Sequence, residues 1–155
     1  MVGAGLLLLV WFTAGCDPSP ERVSDPELEA AREIGLAAGA RLHRVILGGR
    51  GSEEHVLPAM IRARPGDGVE FFTVDHRVHT ISFPLDSLSS SAAAFLTTTG
   101  QNESPPLVHR GSRFILILED APEGRYSFVS QGHGGTAQGV IEVRREPDSL
   151  ATGSF

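Results

Sequence analysis

Lysine is absent from this chain of 155 residues, and all 13 of its cationic side chains are arginine. Acidic residues outnumber them at 19, for a formal net charge of −6. A balance of that sign argues against nucleic acid as a partner, because phosphate backbones are held by clustered basic charge. Cysteine is nearly absent too. With Cys16 alone, the chain can form neither an intrachain disulfide nor a cysteine-based metal cluster. The longest apolar run, residues 3–14 (GAGLLLLVWFTA), falls short of the roughly eighteen residues that a mature membrane-spanning helix needs. No G-x-S-x-G nucleophile elbow occurs. Internal repeats and low-complexity tracts are also missing.

What is present suits a loop-rich β protein of one domain: hydrophobic residues at 41%, 18 glycines and 10 prolines. The apolar run has the length of a signal-peptide core, which assigns residues 1–15 to an export signal. Thr13-Ala14-Gly15-Cys16 then resembles a bacterial lipobox, in which the cysteine becomes the lipidated N-terminus. Cys16 is therefore the expected lipidation site, and the expected location is the periplasm or cell surface, on a membrane anchor. Residues 16–40 read as a lipidated tether followed by a short helix. The tether, DPSPERVSD (17–25), is proline, serine and charge. Ser24 and Glu27 have capping-box spacing, Pro26 suits a first helical turn, and the pattern predicts a helix over 26–38.

The domain proper is expected over 41–145, with 146–155 as a C-terminal tail. Alternation from Leu42 to Leu47 gives a first strand ending in the turn GGRGS (48–52). His55–Arg64 reads as a second strand that Pro58 places at an edge or entry point. Pro65-Gly66-Asp67-Gly68 is a tight turn before a strand from Val69 to Val74, and Val78–Phe83 is the next. Within 84–112, Ser91–Leu96 suggests one or two helical turns ending by Gly100. Arg113–Leu118 is an apolar run of buried-strand length. Strands at this spacing, joined by Gly/Pro turns, predict an all-β fold, a two-sheet antiparallel β-sandwich of Greek-key type.

The last core stretch, GRYSFVSQGHGGTAQGVIEV (124–143), carries the most specific pattern. Tyr126, Phe128 and Ser130 alternate with Ser127 and Val129, as a half-buried strand requires. Gly132, Gly134 and Gly135 surround His133, predicting a glycine-rich loop that lifts its imidazole to a tip, and Val140–Val143 returns to the sheet. Gly124, Tyr126 and Phe128 match the closing strand of the plastocyanin and azurin type of cupredoxin, G-x-Y-x-F-x-C followed by a His and a Met. TVDHRVHTISF (73–83) resembles the same family's strand ending in His-Thr-Val. The chain is thus similar to the cupredoxins over roughly residues 56–145. The resemblance implies a cupredoxin-like Greek-key sandwich whose metal residues are His79, His133 and Gln138, with Ser130 at the cysteine position.

That last departure is chemical. Blue-copper sites rest on two imidazoles and a thiolate with a weak axial Met or Gln, and a neutral serine hydroxyl cannot replace the thiolate. Expected is a degenerate copper site, not a type 1 centre, that binds copper weakly through His79 and His133 and is no fast electron carrier. Two alternatives stand beside it: a metal-free scaffold acting as an interaction module with a protein partner in the envelope, and copper-dependent electron transfer as in the parent family. His76 is a candidate extra donor or a solvated turn residue, Asp75 a turn former, and His43, His55 and His109 surface or rim residues. His133-Gly134-Gly135 is similar to a lipase oxyanion loop, but without a nucleophile elbow no enzyme is expected.

Overall fold

The computed structural model describes residues 25–145; Cys16, the signal segment, most of the tether and the tail from residue 146 lie outside them. In chain order the elements are α1 (Pro26–Glu33), β1 (Leu42–Arg50), β2 (Glu53–Leu57), β3 (Met60–Ala63), β4 (Gly68–Thr73), β5 (His79–Ser82), α2 (Ser90–Thr99), β6 (Arg113–Ile117), β7 (Gly124–Gly132) and β8 (Gly135–Val143). The strands form two four-stranded sheets, ordered β2-β1-β4-β6 and β3-β8-β7-β5. Each is mixed rather than wholly antiparallel as expected: β1 runs parallel to β4, and β3 parallel to β8.

The reason lies at Pro58. The predicted single strand over 55–64 breaks there into β2 and β3, which pair with β1 in one sheet and β8 in the other. Proline cannot donate to a ladder, so the chain leaves one sheet edge at this point and joins the opposite one. The turn expected over 48–52 is also tighter. Arg50 pairs with Glu53, leaving only Gly51 and Ser52 between the strands.

Inward-facing residues of both sheets meet in a phenylalanine-rich core. The ring of Phe71 packs edge-on against Phe128 at 5.0 Å and Phe83 at 6.4 Å, with Val45, Leu47, Ile81, Leu116 and Ile141 fully buried around them. Each such side chain contributes about 1.5–3 kcal/mol by leaving water. Tyr126 closes the lower core: its hydroxyl donates to the Pro122 carbonyl at 2.8 Å, a tyrosine corner. Burial pushes that phenol up to about 12.

Helix α1 is shorter than predicted, since Gly35 takes a left-handed φ of 79° just past its end. Its cap is the Asp25 carboxylate, which accepts from the Glu27 N–H at 3.0 Å. Ala31 is buried, and Leu36 beyond the helix approaches Gly68 and Leu42 on the outer face of the first sheet. Helix α2 is longer than predicted. Ser89 caps it through the Ala92 N–H, and Ala92 and Leu96 are buried.

Candidate functional site

At the end of the sandwich where β1 turns into β2 and β7 into β8, four polar side chains are joined in a row. Glu54 lies on β2 with the inward parity of Val56, so the pleat drives its carboxylate between the sheets. His79 opens β5, and neither side chain is exposed. Glu54 Oε1 lies 2.8 Å from His79 Nδ1 and accepts from Ser130 Oγ at 2.6 Å. The other ring nitrogen, Nε2, lies 2.7 Å from Asp75 Oδ1. Asp75 also accepts the N–H groups of Arg77 and Gly49, both at 3.0 Å. Partial burial raises the Asp75 carboxyl, but these donors together outweigh it and hold the group below the usual carboxylate range.

An ionised carboxylate only accepts hydrogen bonds. Satisfying both contacts of the His79 ring therefore takes two protons on the imidazole or one on a flanking carboxyl. Glu54 Oε2 meets no donor among the described residues. It lies against Gly132, where a Cβ would fall on the carboxylate and 2.9 Å from His79 Nδ1. Arg77 fastens the end from outside: its guanidinium donates to the carbonyls of Glu53 at 2.8 Å, Gly51 at 2.9 Å and Gly132 at 3.5 Å.

Of the four residues assigned to a metal by resemblance, this geometry brings together His79 and Ser130, through Glu54. The other two are elsewhere. β7 and β8 pair without interruption to Gly132 opposite Gly135, so the expected glycine-rich loop is a two-residue hairpin turn. His133 and Gly134 occupy it with φ of 36° and 88°, positive at both as a type I′ turn demands. The His133 side chain is exposed at its tip. Gln138 pairs with Val129, whereas Ser130 pairs with Ala137. Because side chains alternate across a strand, Gln138 points to the opposite face from Ser130 and is exposed. His76 is exposed as well.

Copper held by these residues does not fit. The position that it would share with His79 and Ser130 is filled by the Glu54 carboxylate, and both nitrogens of His79 already face carboxyl oxygens. Glu54 and Asp75 stand on opposite sides of the imidazole, so they cannot converge on one ion. Among the described residues, no group of three or more His, Cys, Asp or Glu side chains is disposed to hold a metal. The Ser130 hydroxyl is fully buried and donates to Glu54.

Two residues that build this end, Glu54 and Arg77, were not singled out from sequence, and Asp75 is a partner of His79 as well as a turn former. The alternation of Glu54 and Val56 against Glu53, His55 and Leu57 was the available signal. His55 and His109 are exposed. His43 is largely covered, with Nε2 at 2.9 Å from Asp67 Oδ2.

Solved structures similar to this one are cupredoxins. Oxidised plastocyanin from Dryopteris crassirhizoma superposes with a TM-score of 0.50 at 19% identity, covering 65% of this chain and 99% of the plastocyanin. A purple cupredoxin from Nitrosopumilus maritimus is 17% identical with a TM-score of 0.44, over 66% and 99% of the two chains. A reduced Cu(I) form of a mutant amicyanin is 14% identical with a TM-score of 0.44, over 72% and 88%. The fold is the cupredoxin β-sandwich. No family model matches the chain, and no curated protein matches it.

Proposed function

We propose that this chain is an exported, lipid-anchored cupredoxin-fold domain that works without copper, as a non-catalytic interaction module of the cell envelope. One observation carries the reading: the Glu54 carboxylate occupies the interior between His79 and Ser130, at 2.8 Å and 2.6 Å. A buried carboxylate whose Oε1 meets both Ser130 and His79 is a built feature, since burying a polar group without partners is costly. The export half rests on the apolar segment and Cys16, and predicts a diacylated N-terminus with a further amide-linked chain. Weak Cu(II) binding through His79 and His133 is the competing reading. It requires His79 to release a carboxylate and His133 to turn inward from the hairpin tip.

Titrating the mature protein with Cu(II), followed by EPR and calorimetry, separates the two. The metal-free reading predicts only weak signals that His79→Ala leaves unchanged and that removal of exposed histidines abolishes. A stoichiometric Cu(II) signal lost on His79→Ala would establish the copper reading instead.

A further inference from the structure

Helix α1 is fastened to the domain by few apolar contacts. With 8 residues it is too short to stand alone in water. Of its own side chains only Ala31 is buried, and Leu36 beyond it approaches Gly68. Between helix and sheet lies a recess of about 220 Å³, lined by Pro26, Glu27 and Ala30 on one side and by Leu42, Arg44 and Glu70 on the other. Charge supplies the rest of the hold. Arg41, just before β1, lies 3.0 Å from Asp25 and 3.3 Å from Glu27.

His43 on β1 stands between two carboxylates. Its Nε2 is 2.9 Å from Asp67 Oδ2, and its Nδ1 faces Glu27 Oε2 at 4.0 Å. Burial raises the Asp67 carboxyl, but His43 and the N–H groups of Arg41 and Arg64 together outweigh it and keep the group ionised, below the usual carboxylate range. An ionised carboxylate only accepts, so the single proton of a neutral ring stands on Nε2, and the lone pair of Nδ1 faces the Glu27 carboxylate. Two acceptors then confront each other. A second ring proton turns Nδ1 into a donor and the same contact into an ion pair between α1 and β1.

The other charges around the ring do not change over the range in which imidazole titrates. Arg41 and Arg64 stay cationic. Across the groove Arg62 and Arg144 are paired with Glu142, and Arg145 with Glu123. The remaining histidines lie on β2, on β5 and in loops.

We propose that His43 is a pH-operated latch for α1, which fastens the helix over the outer face of the first sheet when the ring takes its second proton and loosens it when the ring is neutral. Loosening opens the recess and the sides of Leu42 and Glu70 that line it, both buried while the helix is in place. The latch uses neither metal nor lipid, so it stands independently of the function proposed above.

The test is amide exchange of the mature protein, followed by NMR and expressed as protection relative to the intrinsic rate at each pH. Protection of residues 28–36 should rise about twofold to fivefold from about pH 8 to about pH 5.5, the size of a partly exposed ion pair. It should fall again below about pH 4 as carboxylates protonate. Amides of β4 and β7 should not follow. Glu27→Gln, which leaves His43 on Asp67, should flatten the rise, as should His43→Gln, while His55→Gln keeps it. Arg41→Gln should lower the protection of α1 at every pH and leave the rise in place, which distinguishes a latch from a merely structural contact. Protection of α1 that ignores pH, an undiminished rise in Glu27→Gln, or a rise shared by the whole sandwich overturns the proposal. Should His43→Gln fail to fold, Glu27→Gln alone decides, since that side chain is 44% exposed.

Discussion

The two ends of this sandwich place a histidine against carboxylate in opposite settings. At one end His79 is buried between Glu54 and Asp75, and one oxygen of Glu54 has no donor among the described residues. At the other His43 meets Asp67 at the rim of a groove, and both Asp67 oxygens have donors. One cause separates them: parity. Glu54 occupies an inward position of β2 and brings its carboxyl group inside, whereas Arg62, Arg144 and Arg145 at the far end extend into water. A polar group turned inward is held by its neighbours, and charge turned outward is shared between its ion pairs and water. Here one inward glutamate fills the space between His79 and Ser130 with the protein's own atoms.

The largest effect should follow from Glu54→Ala, which removes the acceptor of both His79 and Ser130. We expect a loss of about 3–5 kcal/mol in denaturant unfolding, the range for breaking a buried charged pair. A near-neutral result would dissolve the contrast between the ends. Gly132→Ala should come next, at about 1–3 kcal/mol, because its methyl group overpacks the Glu54 carboxylate. The acid limb of stability should draw on both ends. Asp75 and Asp67 each titrate below the ordinary aspartate value in the folded state, burial being outweighed at Asp67 by His43 and by the Arg41 and Arg64 N–H groups. As pH falls the unfolded chain takes up these protons first, so their stabilisation is complete above about pH 4 and is lost below it. Thermal unfolding of Asp75→Asn and Asp67→Asn across that range should each show a shallower acid decline than the parent. Smallest of all should be Arg144→Ala, within about 0.5 kcal/mol despite its 2.6 Å contact with Glu142, since the guanidinium is mostly in water.

Much of the sandwich was legible as alternation. Tyr126, Phe128 and Ser130 are inward on β7, and Arg113–Ile117 forms β6. The break at Pro58 was visible only as an edge, because a strand that changes sheets and one that stays on an edge share the same local pattern. The end of the molecule was harder to read. Matching Gln138 to an axial ligand assumed an irregular loop after Ser130, and once Gly132 and Gly135 pair, register alone turns Gln138 outward. His133 read as a ligand for the same reason, although a residue followed by glycine at positive φ is also the signature of a type I′ turn. Glu54 was readable from its alternation with Val56, yet a carboxylate in a short, charge-rich strand is ordinarily a solvated one. The gathering of five arginines at the far end had no linear signal at all. Residues 41, 62, 64, 144 and 145 meet because β3 runs beside β8 and β1 beside β4.

The most direct measurement of a self-filled metal position is the visible spectrum of Ser130→Cys with Cu(II). This change supplies a thiol at a buried position on the strand beside that of His79, where Ser130 and His79 both meet Glu54. With Glu54 in place, His133 at the hairpin tip and Gln138 on the outer face, the folded variant should keep a free thiol and develop no intense thiolate-to-copper band. An intense blue or green colour, lost again on His79→Ala or His133→Ala, would show that the ligands converge after all and would contradict the account.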